Sequence, residues 1–163
     1  MNRALILYHS RTGNTAFYSE EIAAELSKNG VAVQSLPMYK AAEAPVREAD
    51  TIFLGCWTSG LMFFLQKPEK IWVEYLKQLP SLKNKEIVLF TTYKILTGSM
   101  FREMKKHLPD DTTISMVKLK SRNGKLTEAN KQLLRLLTRG PVDMAWYTAS
   151  FSGYPSVFQE VAV

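Results

Sequence analysis

Hydrophobic positions along this chain fall into two patterns that take turns. Apolar-rich runs occupy residues 4–8, 31–36, 51–55, 86–91 and 112–119. Short runs of this kind suit strands buried on both faces. The stretches between them carry apolar residues three and four apart. Over 15–29, Tyr18, Ile22 and Leu26 share one helical face, Glu20 and Glu21 favour the amino end, and Lys28 favours the carboxyl end. Asn29-Gly30 supplies the stop. Pro68 suits the first turn of a helix that buries Ile71, Trp72, Tyr75, Leu76 and Leu79 and ends at Pro80. Ser99 predicts the cap of a helix with Met100, Met104 and Leu108 turned inward, stopped by Pro109. The last helix is predicted over 127–138, with a cluster of Leu133, Leu134, Leu136 and Leu137. Residues 37–49 are weakly patterned, which predicts a short or irregular second helix.

Five strands alternating with helices imply the α/β class, a parallel sheet with helices on both faces. The chain has 163 residues and is 46% hydrophobic, enough for one domain with a real core. Repeats, low-complexity segments and linkers are absent from the sequence, so residues 1–140 read as a single domain. Residues 141–163 are rich in aromatics (Trp146, Tyr147, Phe151, Tyr154, Phe158) and are expected to pack on that domain as an extension. No apolar run approaches the roughly 20 residues of a membrane span, and the first is too short for a signal-peptide core. The single cysteine, Cys56, rules out an intrachain disulfide and fits a reducing compartment. The expectation is a cytoplasmic protein without a membrane partner.

The formal net charge is +6 and unevenly placed. Residues 81–140 hold 13 Lys and Arg against 5 Asp and Glu, whereas residues 1–80 balance at 8 each. The middle block reads either as ordinary solvated helix faces or as a surface for an acidic partner. Nucleic-acid binding through Lys118, Lys120, Arg122 and Lys125 is not expected, because no aromatics interleave with them.

The segment Ser10-Arg11-Thr12-Gly13-Asn14-Thr15 carries the most chemistry. It joins the first strand to the first helix. A helix start leaves about four N–H groups unpaired and carries roughly half a positive charge, which makes an anion site. Hydroxyls on Ser10, Thr12 and Thr15 add donors, and Gly13 lets the backbone come close to a phosphate. Arg11 either reaches the phosphate or stands in solvent. His9 adjoins the loop and either tunes it or is an ordinary strand-end residue, the second being the preferred reading. Rival motifs are absent: there is no Gly-x-Gly-x-x-Gly, no P-loop, no metal-ligand spacing and no nucleophile–base constellation, so no catalytic residue is assigned.

In open parallel sheets, ligands bind beyond the carboxyl ends of the strands. The third strand leads into Cys56-Trp57-Thr58-Ser59-Gly60. The fourth leads into Thr92-Tyr93-Lys94 and onward to Gly98-Ser99. Each loop opens on one large aromatic, Trp57 or Tyr93. A flat ring such as isoalloxazine can lie between two such groups, with stacking worth about 0.5–1.5 kcal/mol beyond buried area. Cys56, next to that ring's place, reads either as a redox-active thiol or, the preferred reading, as a small buried one.

With these residues in place, the chain resembles the flavodoxin family over about residues 3–139, most specifically in Thr12-Gly13-Asn14-Thr15. The strand-end rule above was itself framed partly on this fold. The resemblance implies a flavodoxin-like three-layer sandwich with strand order 2-1-3-4-5 and one non-covalently held FMN. It matches Ser10, Thr12, Gly13, Asn14 and Thr15 to the phosphate loop, and Trp57 and Tyr93 to the aromatics flanking the ring. The wider cofactor contacts then fall on Arg11, Cys56, Thr58, Ser59, Gly60, Thr92, Lys94 and Gly98. It implies electron transfer to or from a redox partner protein. Two alternatives stay open: an NAD(P)H-dependent FMN or quinone reductase on the same fold, and a flavin-binding module without turnover. The chain departs from classical carriers in being basic, and in carrying Lys94 where an acidic, glycine-rich loop is usual.

Overall fold

Each apolar run becomes a strand because its alternate side chains find a helix on each side of one sheet. The structure, a computed structural model, describes residues 1–61, 64–95 and 97–139, with the backbone alone at 59–61 and 64–66. The aromatic extension at 141–163 lies outside the described residues. In chain order the elements are β1 (Arg3–His9), α1 (Asn14–Lys28), β2 (Ala32–Pro37), a 3-10 turn (Met38–Lys40), α2 (Glu43–Glu48), β3 (Thr51–Trp57), β4 (Ser59–Leu61) and β5 (Phe64–Lys67). They continue with α3 (Lys70–Gln78), β6 (Glu86–Thr92), α4 (Met100–Lys105), β7 (Thr113–Ser121) and α5 (Glu128–Arg139).

The main sheet has five strands, all parallel, in the order β2-β1-β3-β6-β7. This is the expected 2-1-3-4-5 order, and the flavodoxin-like fold holds. The hairpin β4–β5 forms a separate two-stranded antiparallel sheet that the sequence did not predict. Along β1, Leu5 and Leu7 face one way and Ala4 and Ile6 the other, as the two-residue period requires. On one face α1 and α5 bury Tyr18, Ile22, Leu26, Leu134 and Leu137. On the other, α2, α3 and α4 bury Val46, Trp72, Leu76, Met100 and Met104.

Two details differ from the sequence reading and one agrees with it. Ile71 is 39% exposed, because in the short α3 the pair Trp72 and Leu76, four apart, takes the sheet-facing row. Residues 37–49 hold the 3-10 turn and a six-residue helix, irregular as expected. Cys56 and Trp57 belong to β3 itself, since they pair in register with Thr91 and Thr92 of β6. Gly55, just before them, has a packing reason: a Cβ there would stand 2.0 Å from the ring of Phe90. That ring in turn meets Tyr18 edge-on at 6.0 Å between centroids.

Candidate functional site

The strands β1, β3 and β6 lie side by side, so their carboxyl ends open on one rim. Threonines stitch that rim together. The Thr15 and Thr92 hydroxyls share a buried hydrogen bond of 2.7 Å, tying the start of α1 to the end of β6. The Thr58 amide donates to the Thr92 carbonyl at 2.8 Å, and the Thr58 and Thr91 hydroxyls meet at 3.1 Å. Thr91 also donates to the Cys56 carbonyl at 2.7 Å. The Tyr93 amide donates to the Ser121 carbonyl at 3.1 Å, which draws the end of β7 into the same rim.

The loop between β1 and α1 is shaped for an anion. Gly13 precedes the helix with φ +87°, a conformation L side chains rarely adopt, and open space lies where its Cβ would be. No side chain caps α1, and its first turn carries no acidic residue. The first amides therefore have no intrahelical acceptor, and the positive end of the helix is uncompensated. Ser10 Oγ is buried without a hydrogen-bond partner. Arg11, Thr12 and Asn14 are exposed. Thr15, read from sequence as a donor to the anion, is instead buried against Thr92; its hydroxyl reaches a ligand only if Thr92 supplies the proton between them. Beside the loop lies a cavity of about 420 Å³ walled by Ser10, Gly13, His9, Tyr39 and Tyr75.

The ring-flanking candidates stand differently. Trp57 is half-buried at the end of β3, with its indole N–H buried and unpartnered. The Arg11 guanidinium carbon lies 5.6 Å from the Trp57 ring centroid, over its face. Tyr93, also half-buried, lies near Tyr18; burial first and this neighbouring phenol second push the Tyr18 hydroxyl's pKa up. Tyr18 accepts a 2.7 Å hydrogen bond from Asn130 of α5. Lys94 is exposed. Ser59 and Gly60 lie on β4, and Gly98 turns the chain into α4 with φ +42°. Cys56 belongs to the core rather than the rim: its thiol is fully buried, donates to the Trp57 carbonyl at 3.3 Å, and has its pKa raised by burial.

One residue escaped the sequence reading. Glu69, which precedes α3, holds His9 Nε2 at 2.6 Å and comes within 4.0 Å of Arg11. Neither partner is near it in sequence, and Pro68 marked that segment only as a helix start. His9 is accordingly part of a charged cluster beneath the loop, not a plain strand end.

The buried, unpartnered Ser10 hydroxyl, the uncapped helix and the open Gly13 fit a flavin phosphate, and the half-buried Trp57 fits a ring. A family model of the flavodoxin domain matches residues 5–146. The chain belongs to the flavodoxin family. At family level it is a flavodoxin-type electron carrier built around a bound flavin, which in this family is typically FMN. Among solved structures, the two-electron-reduced flavodoxin of Megasphaera elsdenii superposes with a TM-score of 0.69 at 26% identity, covering 84% of this chain and 99% of that one. A Streptococcus flavodoxin shares the fold with a TM-score of 0.62 at 16% identity, over 89% of this chain and 99% of the other. Rubredoxin oxygen:oxidoreductase from Desulfovibrio gigas superposes at 0.65 and 15% identity, over 91% of this chain but only 37% of that larger one. A search of curated sequences returns no match. Among the described residues no helix is long and apolar enough to cross a membrane.

Proposed function

We propose that this flavodoxin-family chain holds one FMN and passes electrons between redox partner proteins in the cytoplasm. The observation that carries the reading is the uncapped, acid-free start of α1 beside the buried, unpartnered Ser10 hydroxyl. The amides of residues 13–16 and the Ser10 and Thr12 hydroxyls would hold the phosphate. Trp57 and Tyr93 would flank the ring, with Thr58 and Thr92 fixing the distance between their strand ends. Bound FMN would supply the one- and two-electron chemistry that no side chain here offers. The partner would present an acidic face, because exposed Lys94, Arg122 and Lys125 share this end of the sheet.

Calorimetric titration with FMN and riboflavin tests the phosphate role. FMN should bind more tightly, and Thr12→Ala should weaken FMN alone by about 1–3 kcal/mol, the cost of an unmade hydrogen bond to a charged group. Equal affinity for the two flavins would sink the reading. The reductase alternative draws on the cavity beside Tyr39 and Tyr75, which leaves room next to the loop. Stopped-flow mixing with NADH and NADPH separates the two. Rapid bleaching of bound flavin makes the chain a reductase. Slow bleaching, with reduction by a partner protein that slows as salt rises, supports the carrier.

A further inference from the structure

The Arg11 side chain lies where a stacked ring would go. Its guanidinium covers a face of Trp57, the aromatic at the end of β3, with the carbon 5.6 Å from the ring centroid. Its NH1 comes within 4.0 Å of a Glu69 carboxylate oxygen, while the other oxygen of that carboxylate is held by His9 at 2.6 Å. The arginine is nevertheless 68% exposed, so both of these attractions are weak. It also stands next to Ser10 in the anion loop, one side-chain length from the start of α1.

We infer that Arg11 is the specificity-determining residue of the site: held over Trp57 by Glu69, it is cleared from the ring's place by the ligand's phosphate. The inference rests on the FMN reading above. A phosphate monoester carries nearly twice the charge of the Glu69 carboxylate and offers three strong acceptor oxygens. Seated at the amides of α1, it draws the guanidinium off the indole and into a charge-assisted pair. Glu69 is not stranded when Arg11 leaves, because His9 remains as its partner. A flavin without phosphate has nothing to attract Arg11 and must displace it from Trp57 unaided. One arginine therefore favours the phosphorylated ligand and obstructs the unphosphorylated one.

The two effects have opposite signs, which makes the test sharp. Arg11→Gln should weaken FMN several-fold and tighten riboflavin several-fold in the same titration. Glu69→Gln, which loosens the hold on Arg11, should tighten FMN. A readout without flavin is available. Acrylamide should quench tryptophan fluorescence more strongly in Arg11→Gln than in the wild type, and that difference should vanish in a Trp57→Phe background. If the wild type prefers FMN but Arg11→Gln shifts both flavins alike or neither, the inference is wrong and the FMN reading stands. If the wild type shows no preference for FMN, the FMN reading falls. Unchanged quenching in Arg11→Gln then shows, independently, that Arg11 does not cover Trp57.

Discussion

The ends of β1 and β6 open on the same rim but are built differently. After β1, residues 10–13 lead at once into a 15-residue helix, and the second residue of that helix, Thr15, is locked to Thr92. After β6, residues 93–99 run through exposed Lys94 and Ile95 into a helix of only six residues. The first connection shares its hydrogen bonds with the core. The second is tied to the rim at its start, where the Tyr93 amide donates to the Ser121 carbonyl. The contrast teaches that the candidate anion loop is locked into the fold through Thr15, whereas the Tyr93–Lys94 side of the candidate ring site leads away from it through exposed residues. Changes at the first should cost stability and binding together. Changes at the second should alter the flavin with little effect on folding.

Thr15→Val should give the largest effect. It leaves the buried Thr92 hydroxyl unpaired, so stability should drop by about 1–3 kcal/mol in urea unfolding, and FMN should bind less tightly. A stable Thr15→Val with unchanged affinity would erase the distinction between the two ends. Trp57→Ala should come next. Fluorescence of bound flavin should rise as the quenching indole is lost, and affinity should fall by about 0.5–1.5 kcal/mol beyond the lost contact area. Tyr93→Ala should do the same more weakly, because its phenol lies near Tyr18. Equal responses would put both rings in the same relation to the flavin. Lys94→Gln should be smallest. Removing a nearby positive charge disfavours the reduced, negatively charged flavin, so the midpoint potential should fall, with unfolding unchanged. A potential that does not move places Lys94 out in solvent.

The sheet was legible because its evidence is local. Runs at 4–8, 51–55 and 86–91 mark the buried central strands, those at 31–36 and 112–119 mark the partly buried edge strands, and Tyr18, Ile22 and Leu26 mark the helix face that is fully buried. The candidate anion loop could be picked out for the same reason, since Ser10 to Thr15 lie in one unbroken stretch between strand and helix. The hairpin β4–β5 was not, because its apolar residues look like continued core and no Asn-Gly or Asp-Gly turn announces it. Ile71 misled because helical spacing assigns it to the same broad face as Trp72, and only the packed sheet decides between them. The cluster of His9, Arg11, Trp57 and Glu69 was invisible for a different reason. Its members come from three separate segments, and only the alignment of β1 against β3, His9 opposite Cys56, brings them together.

The bare start of α1 has a consequence for the protein's heat resistance. A Ser, Thr, Asn or Asp cap is commonly worth about 1 kcal/mol, and this helix has none. The chain has left that interaction to whatever anion arrives. Folding and loading are thereby coupled by mass action: a ligand at one hundred times its dissociation constant stabilises the native state by about 2.7 kcal/mol. The melting temperature then reports cofactor supply. In the empty protein the opening amides of α1 lack both an intrahelical acceptor and a side-chain cap, so they should exchange readily with water, and loading should slow that exchange.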